Sequence, residues 1–342
     1  FECRMEKDNK KTLESGWLKD LQIQSESTAF KPEEMVSCQK CGKSNPPTRL
    51  SCFYCSTELH VPAQHMHLAK LNLRKLENWE KGCSIIYLPV IQGRTEVDLR
   101  DIARQLSIDT EALRLICELK SPAPIVRLES AREAEAFTQN FAQSGLRFLI
   151  VSDEILLADK PPVRLRSLEF GGESLALVYF NTGEKKIVPY EELSLIVTGA
   201  VFESKIESVE KRKKKEIKVL RETETSSDEA VIDFYSAADP FGYRIPSKGF
   251  DFSCLGAEKG LLAAENMRKL VSKLRTFAPS ARFVDDYLAN KELLDTVWEI
   301  DRRKDFHGLQ RTGFGRKDFT NVALSNNLQQ FTKYSRLQRH LL

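Results

Sequence analysis

No run of eighteen apolar residues occurs in the 342-residue chain, so no membrane-spanning helix is expected. The N-terminus also lacks the short apolar stretch of a secretory signal, which points to a cytoplasmic protein. Phe1-Glu2-Cys3-Arg4 precede Met5, which reads as a natural start, so the first four residues are taken as frame or tag. Charge of one sign is scarce. The 52 Lys and Arg residues against 49 Asp and Glu leave a net +3, too little for the basic footprint of a dedicated DNA-binding protein. Catalytic signatures are missing as well: there is no Walker loop, dinucleotide fingerprint, His-Glu-x-x-His or serine elbow. Only five histidines are present to serve as general bases. These absences weigh against an enzyme, and no small-molecule substrate is expected.

Cysteine is the exception. Of the eight, four form the pairs Cys38-Gln39-Lys40-Cys41 and Cys52-Phe53-Tyr54-Cys55, ten residues apart. Two Cys-x-x-Cys knuckles at that spacing fit one tetrahedral zinc ion, and four thiolates leave no position for water or substrate, so the zinc would be structural. A reducible disulfide pair or redox Cys-x-x-Cys is the alternative. Gly42 follows the first pair where a turn with positive φ is wanted, and Asn45-Pro46-Pro47 interrupts regular structure before the second. Cys3, Cys83, Cys117 and Cys254 lie scattered and read as reduced thiols. His60, His65 and His67 could in principle form a second metal site, although the cysteine quartet is already complete.

The knuckle spacing resembles the short zinc ribbons found at the N-termini of many bacterial proteins, where a second Gly usually stands at the position of Ser56. It also resembles the Ran-binding-protein type of zinc finger, a likeness that implies RNA or ubiquitin binding.

Around the ribbon (37–60) the chain reads as a flexible leader (1–36) and a linker helix (61–83). From Ser84 the periodicity predicts β-α-α-β-α-β: a strand at 85–90, helices capped by Asp109 and Ser130, and strands at 125–128 and 146–151. Residues 84–155 thereby resemble the C-terminal domain of the bacterial ribosomal stalk protein and the Clp protease adaptor domain. That likeness implies a surface that docks other proteins through helix faces, with Arg100, Arg104 and Arg114 as its candidate contacts.

At 161–278 the pattern switches to alternating strands and a closing helix at 263–277 presenting Met267, Leu270 and Leu274. In shape this resembles a pleckstrin-homology-like barrel. The run Lys211-Arg212-Lys213-Lys214-Lys215 lies in one connection; it fits a solvated charged hairpin, or a surface for anionic lipid or nucleic acid. Cys254, framed by Gly249 and Gly256, is expected on the inward side of a strand and not as a nucleophile, which would need a nearby base. Residues 279–342 are expected to form a helix at 281–300 and then a basic, aromatic tail, with nine basic residues against three acidic. Arg311, Arg316, Lys317, Lys333 and Arg336 are its candidate nucleic-acid contacts.

The fold class expected is α+β and multidomain: a zinc ribbon, a β-α-α-β-α-β domain and a mainly antiparallel barrel-like domain closed by helices. The function expected is a non-catalytic adaptor that docks a protein partner. The alternative is an RNA- or ribosome-associated factor.

Overall fold

The computed structural model describes residues 30–62, 65, 68, 73, 76–89, 99–142, 144–157, 159–213, 216–311 and 317–342. Most of the expected leader lies outside them; of the expected linker helix (61–83), the described residues 76–82 form a turn instead of a helix, and Cys83 already opens a strand. The chain divides into a small unit ending at Val61 and a large unit from Pro62 to Leu342, each mixing strands with helices or turns.

In the small unit a 3-10 turn at Pro32–Glu34 leads into β1 (Val36–Ser37), which pairs antiparallel with β2 (Ser44–Asn45). Val36, Leu50, Leu59 and Val61 are its buried aliphatic side chains. The Leu59 amide donates to the Leu50 carbonyl at 2.9 Å, closing the loop around the second knuckle.

The large unit begins with β3 (Cys83–Leu88), α1 (Leu99–Leu106), α2 (Thr110–Glu118), β4 (Ala123–Leu128), α3 (Ala131–Asn140) and β5 (Arg147–Ser152), in the order expected. Asp109 accepts from the amides of Glu111 and Ala112, and Ser130 from that of Arg132, so both helices start at their expected caps. The strands form an antiparallel sheet in the order β4-β3-β5. Along β3, Ile85 and Tyr87 enter a cluster with Ile102, Leu113 and Phe137, whereas Ile86 enters a different one. Burial on both faces explains why this strand is an unbroken apolar run and not an alternating one.

After the short α4 (Asp153–Leu156) come β6 (Val163–Phe170), β7 (Ser174–Tyr179), β8 (Lys185–Pro189), β9 (Leu193–Lys213), β10 (Glu216–Ser236) and β11 (Tyr243–Pro246). They are followed by α5 (Ala263–Phe277), β12 (Arg282–Val284), α6 (Lys291–Val297), β13 (Asp301–Arg311), β14 (Lys317–Asn326) and α7 (Leu328–His340). These strands build one nine-stranded sheet in the order β13-β14-β9-β10-β11-β6-β7-β8, with β12 alongside β9. The sheet is open, which corrects the expected barrel. The reason is the length of β9 and β10: at 21 residues each, or roughly 70 Å, they run far past the core. Their outer halves join β14 and β13 in a four-stranded arm.

Each inner half of that hairpin is buried on both faces. On one side Ile196, Ile232 and Phe234 pack with Leu168, Leu177 and, from α5, Met267, Leu270 and Leu274. On the other, Leu195, Val197, Val231 and Tyr235 pack with Phe331, Tyr334 and Leu337 of α7 and with Ile86, Val151 and Leu156. The segments 84–155, 161–278 and 279–342 therefore share cores.

The C-terminal segment departs furthest from expectation. Residues 281–300 hold β12 and the seven-residue α6 in place of one long helix. The expected tail is a hairpin on the sheet edge followed by a helix buried almost all round, from Gln330 to Gln338. At Gly199 on β9 a Cβ would collide with the Phe331 and Tyr287 rings, so glycine there lets α7 lie directly on the sheet.

Candidate metal centre

Both knuckles are built the same way. The Cys38 amide donates to Lys43 O at 3.0 Å and the Gly42 amide to Cys38 O at 2.8 Å; in the second knuckle Cys52 donates to Thr57 O at 2.8 Å and Ser56 to Cys52 O at 2.9 Å. Each turn needs a left-handed residue four positions after its first cysteine, supplied by Gly42 at φ 69° and by Ser56 at φ 56°.

These turns bring four sulfurs together. The Sγ atoms of Cys38, Cys41, Cys52 and Cys55 all lie within 4.8 Å of one another, with Cys38–Cys55 at 3.5 Å and Cys41–Cys52 at 3.6 Å. A tetrahedral ion with metal–sulfur bonds of about 2.3 Å would hold its ligands about 3.8 Å apart, so the group could hold one metal ion. All four thiols are free, and their separations are far longer than a disulfide bond.

The surroundings favour thiolate at Cys52 and Cys55. Burial opposes ionisation of Cys52, but the Tyr54 and Cys55 amides and the Asn45 side chain outweigh it and hold the thiol down at about 6. The Thr57 hydroxyl and amide lower Cys55. At Cys41 the Lys43 amide favours the thiolate, yet burial and the neighbouring thiols push it up to about 12. Four thiols this close cannot all ionise unaided, and a cation among them would relieve that.

Asn45 was legible only as a turn residue, and it does more. Its Nδ2 donates to Lys43 O at 2.9 Å and to Cys52 Sγ at 3.5 Å, while its Oδ1 accepts from the Phe53 amide at 2.9 Å. One fully buried side chain thus ties the two knuckles together. The flanking residues of the second knuckle, Phe53 and Tyr54, point outward at 68% and 54% exposure. Their rings meet edge to face at 5.4 Å. Arg49 lies 5.1 Å from the Phe53 ring and Lys43 lies 4.2 Å from that of Tyr54.

The other candidate residues are dispersed. Arg100 and Arg104 lie on α1 and Arg114 on α2, all exposed. Arg104 pairs with Asp101 at 3.0 Å and Arg114 with Glu111, each within its own helix. Arg311 and Lys317 are register partners at the outer end of the β13–β14 hairpin, and Arg316 lies outside the described residues. Lys333 and Arg336 correct the expected basic surface. They are 5% and 3% exposed, so a nucleic-acid backbone cannot reach them. Lys333 Nζ pairs with Asp153 Oδ1 at 3.3 Å, and Arg336 donates to the carbonyls of Lys160 and Phe241.

Cys254 sits on a short 3-10 helix, Phe252–Glu258, and not on a strand. Burial pushes its thiol up, opposite to the shift that activates a nucleophile. Among the described residues the cysteine quartet is the only such metal-ligating cluster, with His67 outside them, and no helix is long and apolar enough to cross a membrane.

No known protein family, curated protein or solved structure matches the chain.

Proposed function

We propose that the protein is a non-catalytic, zinc-binding adaptor of the cytoplasm that docks another macromolecule through its metal-held N-terminal unit. The observation that carries this reading is the placement of Phe53 and Tyr54. They lie between two ligands, Cys52 and Cys55, in a site whose four positions would all be filled by sulfur. Zinc is the metal suited to four thiolates in tetrahedral array, and a closed set of this kind does structural work. The ion would fix two large rings in solvent, where exposed aromatic groups serve as anchors for a partner.

The test is capture of the intact, zinc-loaded protein from its own cells at low and high salt, with and without nuclease. The same capture is run with Phe53→Ser/Tyr54→Ser. Protein partners that survive nuclease and salt with the parent protein and vanish with the variant are expected. Partners retained by the variant would overturn the reading.

A second reading, an RNA-associated factor, draws support from Arg49 and Lys43 over those rings. Base stacking on aromatic rings beside cations is how single strands are held without sequence preference. RNA recovered at low salt, lost at high salt and lost with the variant would favour it.

A further inference from the structure

Among the described residues the four-stranded arm leaves two edges open. Among the described residues β13 pairs only with β14, and β10 up to Asp228 pairs only with β9, because β11 and the residue after it take up no more than Ala230 to Phe234. Residues 302–305 on β13 and 219–226 on β10 are exposed. Open edges are templates for another strand, and charged side chains are the usual means of keeping strands away. Here the two edges carry different charge sequences: Arg302-Arg303-Lys304-Asp305 on β13, and Arg221-Glu222-Thr223-Glu224 on β10.

The strand directions matter as much as the charges. Each neighbour in β13-β14-β9-β10 is antiparallel to the next, so β10 runs opposite to β13. A second copy placed in the same orientation beside the first therefore sets its β13 antiparallel to the first copy's β10. In one register of that pairing Arg302 faces Glu224, Arg303 faces Thr223, Lys304 faces Glu222 and Asp305 faces Arg221. Three of four consecutive positions bring opposite charges together and none brings like charges together, the arrangement that stabilises cross-strand pairs. Two β13 edges overlapped over residues 302–305 would instead set Arg303 against Lys304 twice, beside two Arg302–Asp305 pairs.

We infer that the protein assembles head to tail with copies of itself, by pairing the β13 edge of one arm with the β10 edge of the next. The contact uses different surfaces on the two copies, so it extends instead of stopping at a dimer. Its occupant is a second copy of this chain, selected by the same edge charges that reject other strands.

The test is sedimentation of the full, metal-loaded chain over a concentration series at low and high salt. The average mass should grow past that of a dimer with concentration at low ionic strength and fall several-fold in salt. Glu222→Lys/Glu224→Lys and Arg302→Glu/Lys304→Glu should each be monomeric, with unchanged circular dichroism. An equimolar mixture of the two variants should associate again, since the reversed edges then face complementary partners. A wild-type chain that stays monomeric throughout would overturn the inference. So would association that ignores the β13 reversal, which would indicate a β10–β10 dimer, or a mixture that fails to reassociate.

Discussion

Among the described residues the small unit buries four aliphatic side chains beside its four thiols, whereas the large unit buries three apolar clusters that share both faces of two sheets. So few buried apolar groups offset little of the chain entropy lost on folding, and a metal held by the four thiols would supply the difference. In the large unit stability is distributed, and its sensitive points are polar groups trapped between the clusters. The contrast predicts opposite responses to the same kinds of perturbation.

The largest expected effect is on the small unit. Structural zinc in such sites contributes about 10–16 kcal/mol of apparent folding free energy. A strong chelator, or Cys52→Ser, should therefore collapse the amide resonances of residues 36–61 in a two-dimensional nuclear magnetic resonance spectrum. The resonances of the large unit should keep their positions. Acid should act in the same direction, because the thiolates must take up protons as pH falls and metal affinity drops with them. Loss of both sets of resonances together would erase the contrast.

The next effect belongs to the large unit. Asp153 Oδ2 accepts from Arg127 at 2.5 and 2.9 Å and from the Gly82 amide at 2.9 Å, while Oδ1 lies 3.3 Å from Lys333 Nζ. Asp153→Ala would leave two buried cations without their carboxylate, a change that costs about 3–5 kcal/mol. Urea denaturation of the large unit should report it, with metal release unchanged. Burial lowers the Lys333 pKa, and Asp153 only partly opposes this. The unfolded chain then binds more protons than the folded one between that lowered value and the ordinary 10.5, so this residue's contribution to stability rises with pH across that window. Lys333→Met should flatten the rise, and an unchanged slope would show that Lys333 does not cause it.

The same contrast governs what could be read in the sequence. Cys38, Cys41, Cys52 and Cys55 were legible because ligand spacing is a local property, set by turns within a few residues. The α5 limits and the caps at Asp109 and Ser130 were legible for the same reason: helix ends are fixed by nearby side chains. The nine-stranded sheet was not, because β9 takes β12 and β14, and β6 takes β11, from residues far along the chain. Alternation picks out only the stretches 195–202, 217–223 and 230–235 as strands, whereas the structure runs them together into two continuous elements. Glu224, Thr225, Ser226 and Ser227, between two of the expected strands, carry no apolar alternation yet pair along β9 all the same. The tail failed for a related reason. Lys333 and Arg336 look like surface cations until Asp153 and the Lys160 and Phe241 carbonyls, all distant in sequence, are brought against them. Even in the small unit, long-range bonds hid one role: Asn45 was visible as a turn residue but not as the tie between knuckles.

The smallest effect separates the two knuckles themselves. Gly42 and Ser56 occupy equivalent left-handed positions, but only glycine does so without strain, and a non-glycine residue held there costs on the order of 1 kcal/mol. A Cβ at position 42 would meet nothing within 4 Å, so Gly42→Ala tests the backbone term alone. Ser56 is exposed, which makes Ser56→Gly the matching test in the other direction. With a structural metal in this unit, unfolding and metal release would be coupled, and each change should appear as about a five-fold shift in metal retention against a competing chelator. Gly42→Ala should release the metal more readily and Ser56→Gly should hold it more tightly. If Ser56→Gly left retention unchanged, the second knuckle would be relaxed with serine in place, and the Ser56 hydroxyl or its lower freedom in the unfolded chain would be compensating for the strained φ.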